Sequence, residues 1–240
     1  MLLCFGSFTM LPAVGELMCD VDHRDRPFVS RGGVKLENAL LSCGLEVSGR
    51  RALDVGASTG GFTDCLLRRG VAEVVAVDVG YGQLDWGLRN DPRVSVLERT
   101  NARALSGEML PYEPELATID VSFISLAKVL PAVLGCMAGV YDVLALVKPQ
   151  FEVGRALASK GRGVVRDPDD RRGALVSVGQ AALGLGASVL GYHYSGLPGP
   201  KGNRETFIWL AEGGRGGACD DEELEGMALV AEPTEGGMGD

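Results

Sequence analysis

Residues 53–62 read Leu53-Asp54-Val55-Gly56-Ala57-Ser58-Thr59-Gly60-Gly61-Phe62, which predicts an apolar strand, a glycine turn and the start of a helix. Glycine adopts positive φ angles and allows a ligand or another backbone to approach closely. Three glycines directly after a strand are therefore typical of a place where a ligand lies against the main chain. A glycine turn that only starts a helix is the alternative.

An acid on the next predicted strand indicates a ligand that contains a ribose. Asp78 follows the apolar run 74–77 and stands 22 residues after Gly56. In nucleotide-binding βαβ units, an acid about 20 residues beyond the glycine turn accepts hydrogen bonds from ribose hydroxyls. The sequence therefore predicts a nucleoside site between the two strands.

The spacing of the glycines narrows the class of nucleoside. A dinucleotide site requires G-x-G-x-x-G, and Ser58 stands where the second glycine should be. A P-loop requires a Lys-Ser or Lys-Thr pair, which does not follow Gly60. Asp54 favours a cationic ligand, and S-adenosylmethionine carries an amino group and a sulfonium but no phosphate. Because the stretch is similar to motif I of the Rossmann-like methyltransferases, we expect it to bind S-adenosylmethionine.

The composition is that of a soluble globular protein. Hydrophobic residues make up 46% of the 240 residues, which is enough for a sizeable core. No apolar run reaches the roughly 18 residues of a membrane helix, and the first 14 residues lack the features of a signal peptide, so we expect a cytoplasmic protein. Two histidines are too few for a zinc site, and we expect no metal. The six cysteines have no C-x-x-C spacing and are expected to be reduced: Cys4, Cys19, Cys43, Cys65, Cys136 and Cys219.

The net charge of −9 is concentrated at one end of the chain. Residues 212–240 hold nine acids and one base, a net −8, so residues 1–211 carry only −1. The same end is rich in glycine, and we predict a mobile acidic tail over 212–240. Residues 1–28 show no hydrophobic period and predict a polar extension, which leaves residues 29–211 as the folded domain.

Strand-like and helix-like segments alternate through the domain, which predicts an α/β fold with a mostly parallel sheet. Two further strand-like runs separated by a Gly/Pro-rich turn predict an antiparallel hairpin at the sheet edge. The predicted strands are 52–55, 74–78, 94–97, 116–120, 143–147, 188–195 and 206–210. The predicted helices are a short one that has Lys35 in its first turn and ends at Gly44, followed by 62–69, 84–89, 125–134 and 169–183.

Polar residues stand at the carboxyl ends of the predicted strands, where open α/β sheets bind their ligands. Asn101 follows the third strand and could hydrogen-bond an adenine edge, although a turn-forming asparagine fits equally well. Asp120 interrupts the apolar run that forms the fourth strand. Lys148 leaves the fifth strand and is held by the following Pro149, so we expect it to be functional.

Basic residues outside the strands indicate anionic partners. Lys35 falls in the first turn of a predicted helix, where it opposes the helix dipole, so we expect an anionic group beside it; a solvated lysine is the alternative. Residues 148–172 hold seven bases against four acids, which suits phosphate groups, although a solvated loop has the same composition.

Six motifs, in order over about residues 29–211, resemble those of the TlyA family of hemolysin-like ribosomal RNA methyltransferases, which is related to the FtsJ type. The motifs are Ser30-Arg31-Gly32-Gly33-Val34-Lys35-Leu36, residues 54–62, Asp78-Val79-Gly80-Tyr81-Gly82-Gln83-Leu84, Asp120-Val121-Ser122-Phe123-Ile124-Ser125, Lys148-Pro149-Gln150-Phe151-Glu152 and Gly202-Asn203-Arg204-Glu205.

The resemblance implies a Rossmann-like class I methyltransferase fold, with a seven-stranded, mostly parallel sheet, an antiparallel edge hairpin and helices on both faces. It also implies methyl transfer from S-adenosylmethionine to a ribose 2′-hydroxyl of ribosomal RNA, at cytidine in the best-known members. The family's Lys-Asp-Lys-Glu tetrad corresponds to Lys35, Asp120, Lys148 and Glu205. Our hypothesis is that Lys148 activates the hydroxyl, Asp120 orients Lys148 and the cofactor, and Lys35 with Glu205 holds the ribose.

The strand-end positions, the basic loop and the resemblance together give two sets of candidate binding residues. The expected cofactor-binding residues are Asp54, Gly56, Ala57, Ser58, Gly60, Gly61, Phe62, Asp78, Val79, Asn101 and Asp120. The expected RNA-binding residues are Arg31, Arg155, Lys160, Arg162, Arg166 and Arg171. Family members usually carry an amino-terminal S4-like RNA-binding domain, and we expect none within residues 1–28. Ribosomal RNA or ribosomal subunits are the expected partners.

Two other function classes remain open at this point. A nicotinamide-dependent oxidoreductase would keep the fold, but the missing second glycine and the lysine–acid tetrad count against it. A non-enzymatic protein, either a membrane-active hemolysin or an RNA-binding scaffold with an impaired site, is the other alternative. The lytic form requires an apolar or amphipathic membrane segment, which the sequence does not show.

Overall fold

A computed structural model of the chain describes residues 27–154 and 161–232. Its seven strands form one sheet in the order β3-β2-β1-β4-β5-β7-β6, in which β1 to β5 are parallel and β7 runs antiparallel to both β5 and β6. The strands are β1 Arg51–Val55, β2 Glu73–Val77, β3 Val94–Leu97, β4 Leu116–Ile119, β5 Asp142–Val147, β6 Ser188–Tyr194 and β7 Thr206–Ala211. The predicted sheet and its antiparallel edge are confirmed.

Seven helices accompany the sheet within the described residues. They are α1 Arg31–Cys43, α2 Gly61–Arg68, α3 Trp86–Arg89, α4 Leu130–Leu134, α5 Pro149–Glu152, α6 Pro168–Gly184 and α7 Glu223–Ala231. Buried side chains of α1, α2 and α3 pack on one face of the sheet, and those of α4, α6 and α7 pack on the other. All six residues of β5 are buried, as expected for a strand covered on both faces.

The helix predicted over 125–134 is divided in two. A 3₁₀ turn spans Leu126–Lys128, and α4 begins at Leu130. Pro131 lies in the first turn of α4, where its missing N–H leaves no helical hydrogen bond unmade. The proline therefore starts a new helix instead of continuing the preceding turn.

The mobile tail predicted over 212–240 is wrong for residues 212–232. Helix α7 lies there and buries Leu224 and Ala228 against the same core as α6. Glu232, with 2% of its surface exposed, accepts hydrogen bonds from the guanidinium groups of Arg171 and Arg204, each at 2.9 Å. Leu224, Ala228 and Glu232, the residue that caps the helix, are spaced four residues apart and lie on the same side. Composition alone does not reveal this spacing.

Candidate active site

A cavity of about 1040 Å³ opens at the carboxyl ends of β1, β4 and β5. This is the edge of the sheet at which the sequence predicted a ligand site. The lining residues come from the start of α1, the glycine turn after β1, the segments after β4 and β5, and two loops that lead into α6 and β7.

The glycine turn presents backbone to the cavity because neighbouring segments leave no room for side chains. Gly56 has a φ of +87°, and a Cβ atom there would lie 2.5 Å from the carbonyl oxygen of Asp120. A Cβ atom on Gly61 would lie 2.1 Å from the Ser30 hydroxyl oxygen, which caps α1. Gly56 and Gly61 therefore allow the strand β4 and helix α1 to close around the turn. Ala57, Ser58 and Phe62, three of the predicted cofactor-binding residues, also line the cavity.

Asp78 supports the turn from the end of β2. Its carboxylate accepts hydrogen bonds from the backbone N–H of Ser58 at 2.8 Å and of Gly80 at 2.6 Å. Ser58 itself has a left-handed φ of +50°, so this contact holds a conformation that serine rarely adopts. Asp78 does not line the cavity, but its two oxygens retain capacity for further donors because each carboxylate oxygen accepts more than one hydrogen bond.

Three other predicted cofactor residues lie outside the cavity wall. Gly60 is the amino-terminal cap of α2, with a φ of +95°. Val79 is exposed beside Asp78. The Asn101 side chain accepts a hydrogen bond from the Arg103 backbone N–H and caps a 3₁₀ turn, so the turn-forming interpretation holds for it in this structure.

Asp54 does not contact the cavity, which contradicts its predicted role as a direct partner of a cationic ligand. It is fully buried below the turn, where its carboxylate accepts hydrogen bonds from the hydroxyls of Thr63 at 2.7 Å and Thr118 at 3.0 Å. Burial raises the pKa of Asp54 to about 6. The carboxylate thus joins β1 to α2 and β4, and it supports the glycine turn from behind.

The buried carboxyl of Asp54 predicts a specific pH dependence of stability. Its folded pKa of about 6 lies above the ordinary aspartate value of 3.8, so the folded state binds more protons between these values and loses stability as the pH rises. At 1.36 kcal/mol per pKa unit, the loss approaches about 3 kcal/mol above roughly pH 7. Asp54→Asn should remove this loss of stability, because the amide does not titrate. Urea unfolding from about pH 4 to about pH 8 checks this: the variant gains stability relative to wild type as pH rises, whereas a pH-independent difference would contradict the assignment.

The four tetrad residues form two amine–carboxylate pairs on the wall of the same cavity. Lys35 Nζ lies 2.5 Å from Glu205 Oε2, and this pair is buried, with 7% and 1% of the two residues exposed. Lys148 forms an ion pair with Asp120, and its Nζ donates a hydrogen bond to the Ser122 hydroxyl at 3.0 Å. The anionic partner that the helix position of Lys35 predicted is therefore Glu205, which precedes β7.

Only some of the predicted RNA-binding residues line the cavity. Arg31 and Arg162 line the cavity. Arg166 is exposed but does not line it. Arg171 is wrong as an RNA contact, because its guanidinium is held by Glu232 and by the carbonyl oxygens of residues 165 and 166. Arg155 and Lys160 lie outside the described residues.

Sequence reasoning missed two residues of the cavity rim. Phe123 is 92% exposed, and its ring centroid lies 5.1 Å from that of Phe151, so the two rings form an aromatic surface. Lys201 lines the cavity from the loop between β6 and β7. The sequence around Phe123 is apolar, but the backbone at this residue is left-handed, with a φ of +65°, and the ring is exposed.

Within residues 27–154 and 161–232, the structure shows neither a metal site nor a membrane-spanning helix. No group of three or more His, Cys, Asp or Glu residues there could hold a metal ion. None of the helices in this part of the chain is both long enough and apolar enough to cross a membrane. Cys43, Cys65, Cys136 and Cys219 are free thiols.

Residues 28–212 match the family described as FtsJ-like methyltransferase. The chain belongs to the FtsJ-like methyltransferase family. Among its relatives is the 16S/23S rRNA (cytidine-2′-O)-methyltransferase TlyA of Mycobacterium tuberculosis, strain CDC 1551, with 55% identity over 190 residues, 79% of this chain and 70% of the relative. Hemolysin A of Brachyspira hyodysenteriae is 42% identical over 74% of each chain.

A solved structure supports the same placement within the FtsJ-like family. A Streptococcus thermophilus protein, provisionally named a hemolysin, is 39% identical and superposes with a TM-score of 0.80. The match covers 88% of this chain and 76% of that one. The resemblance that the six motifs carry is thereby confirmed for the fold and the family.

Proposed function

We propose that this FtsJ-like protein transfers a methyl group from S-adenosylmethionine to the 2′-hydroxyl of a cytidine in ribosomal RNA. The observation that carries the proposal is the pairing of Lys35 with Glu205 and of Lys148 with Asp120 around one cavity beside the glycine turn. The name of the Mycobacterium tuberculosis relative supports the choice of cytidine and of ribosomal RNA.

The cavity residues fit S-adenosylmethionine as the donor. The glycine turn 56–62 carries no lysine or arginine, which suits an adenosyl ligand without phosphate. The carboxylates of Asp78 and Asp120 lie at the turn and in the wall, where they can accept hydrogen bonds from ribose hydroxyls and an amino group. At about 1040 Å³ the cavity is at the upper end of the range for small-molecule sites, which leaves space for a nucleotide as well.

The two amine–carboxylate pairs have different roles in activating the ribose 2′-hydroxyl, which is a poor nucleophile. When bound, S-adenosylmethionine supplies an electrophilic methyl group on its sulfonium. Lys148, held by Asp120 and Ser122, stabilises negative charge that develops on the 2′-oxygen or accepts its proton. Lys35 and Glu205 form a buried donor–acceptor pair that orients the ribose for in-line attack.

The rim of the cavity suits a flipped-out nucleotide of a folded RNA. Arg31, Arg162 and Lys201 supply positive charge for phosphate groups. The exposed ring of Phe123, packed on Phe151, offers an aromatic face on which an unstacked base can stack. We expect the protein to act in the cytoplasm, where ribosomal RNA and ribosomal subunits are found.

Two assays test this function. Calorimetric titration should show binding of S-adenosylmethionine and none of NAD⁺, which separates the proposal from an oxidoreductase. Tritiated methyl donor should then label ribosomal RNA, presented either as intact subunits or as naked RNA, and label in one form alone would identify the substrate. Donor binding without transfer to either form would leave an RNA-binding scaffold and overturn the proposed activity.

A further inference from the structure

One carboxylate, that of Glu152, joins the two segments that carry Asp120 and Lys148. Its Oε2 accepts a hydrogen bond from the Ser125 hydroxyl at 2.6 Å, and its Oε1 accepts one from the Leu126 backbone N–H at 2.9 Å. Glu152 is the last residue of α5, which begins directly after Lys148. Both oxygens of the side chain are thus used to hold the segment that follows Asp120.

The segment held by Glu152 is strained. Phe123 adopts a φ of +65°, which is unfavourable for a bulky residue and persists only where the surroundings fix it. Its amino-terminal side is fixed where the Asp120 backbone N–H donates to the Val55 carbonyl oxygen at 2.9 Å. Its carboxyl-terminal side is fixed at Ser125 and Leu126 by Glu152.

The environment of Glu152 indicates a positional role instead of a solvated surface acid. The residue is partly buried, and this burial raises the pKa of its carboxyl. Its two acceptor oxygens are filled by a hydroxyl and a backbone amide, not by a cation. A partly buried carboxylate that has no cationic partner loses hydration, and this cost is justified only where the geometry that it fixes is needed.

We propose that Glu152 is a positioning residue for methyl transfer, which sets the place of Phe123 and Ser122 relative to Lys148. This inference rests on the proposed function. With Glu152 in place, the strained turn presents the Phe123 ring outward and the Ser122 hydroxyl toward Lys148 Nζ. Without it, the turn relaxes at its carboxyl-terminal side, and the reacting groups lose their alignment.

Two substitutions separate positioning from simple loss of structure. Glu152→Ala removes both acceptors. Glu152→Gln keeps a carbonyl oxygen for the Leu126 N–H and gains an amide that donates to the Ser125 hydroxyl. Glu212→Ala is the matched control, because Glu212 also accepts a hydrogen bond from a backbone N–H, that of Tyr141 at 3.1 Å, but it lies at the opposite end of the sheet.

The test combines kinetics with native-state hydrogen exchange. We expect Glu152→Ala to lower kcat by about 10- to 100-fold, with KM for S-adenosylmethionine within about twofold of wild type. Exchange of the Leu126 amide should be about tenfold faster. Glu152→Gln should restore most of both properties, and Glu212→Ala should change neither.

Several outcomes would overturn the inference: wild-type kcat in Glu152→Ala, equal losses in the alanine and glutamine variants, or unchanged exchange across residues 121–127. If the wild-type protein methylates no ribosomal RNA, the proposed function fails on that result alone. The exchange comparison then still decides whether Glu152 holds the turn.

Discussion

Replacing Lys148 with alanine is expected to reduce methyl transfer by about a thousandfold or more while leaving the affinity for S-adenosylmethionine nearly unchanged. The Lys148 side chain ends at the cavity, where it contacts Asp120 and Ser122. Loss of a general base or of a charge that stabilises the developing alkoxide costs about 10² to 10⁴ in rate. The measurement is single-turnover methyl transfer together with calorimetric binding of the donor.

A lysine at the surface provides the control for this substitution. Lys128 is exposed and does not line the cavity, so Lys128→Ala should keep full activity. Lys148→Arg adds a further distinction, because arginine keeps the positive charge but cannot act as a base. Wild-type turnover in Lys148→Ala would refute the role assigned to this residue.

The second large effect is expected on stability, from Glu232→Ala. Glu232 is buried and accepts hydrogen bonds from Arg171, Arg204 and the Thr206 hydroxyl. Removing one partner of a buried ion pair costs about 3–5 kcal/mol, since the other charge is left without compensation. We expect about 3 kcal/mol, the lower end, because the side chain of Arg204 remains one-third exposed to solvent.

Urea unfolding of the full chain measures this effect on the free energy of unfolding. Glu225→Ala is the matched control, because Glu225 is an exposed acid on the same helix and its removal should change the free energy by less than about 0.5 kcal/mol. If Glu232→Ala lowers the free energy of unfolding by no more than Glu225→Ala does, α7 contributes little to the stability of the domain. The mobile tail predicted from composition would then be correct for this segment.

The strands and the edge of the sheet that holds the cavity could be predicted from the sequence. Each strand is a short apolar run bounded by glycine, proline or charged residues, and this signal is local. The helix α7 could not be found in this way, because glycines and acids dominate its surroundings. Its stability comes from two apolar residues and Glu232 on one side, which find their partners on α6 and β7.

The site was predicted in part because parallel topology brings the carboxyl ends of the strands together. This rule places Asp120 and Lys148 correctly, but it does not give the direction of a side chain. Asp54 lies on β1, as predicted, but its side chain faces inward and contacts Thr63 and Thr118. Phe123 lies in an apolar run, but its backbone is left-handed and its ring faces outward. Both outcomes depend on tertiary contacts that no sequence spacing specifies.

The most direct test of the account identifies the methylated product. Ribosomal RNA treated with the protein and S-adenosylmethionine is digested to nucleosides and analysed by mass spectrometry, with a parallel reaction containing Lys148→Ala. The account predicts 2′-O-methylcytidine with wild type and none above background with the variant. A methyl group found on a base, or equal product from the variant, would contradict the claim that the two amine–carboxylate pairs act on a ribose hydroxyl.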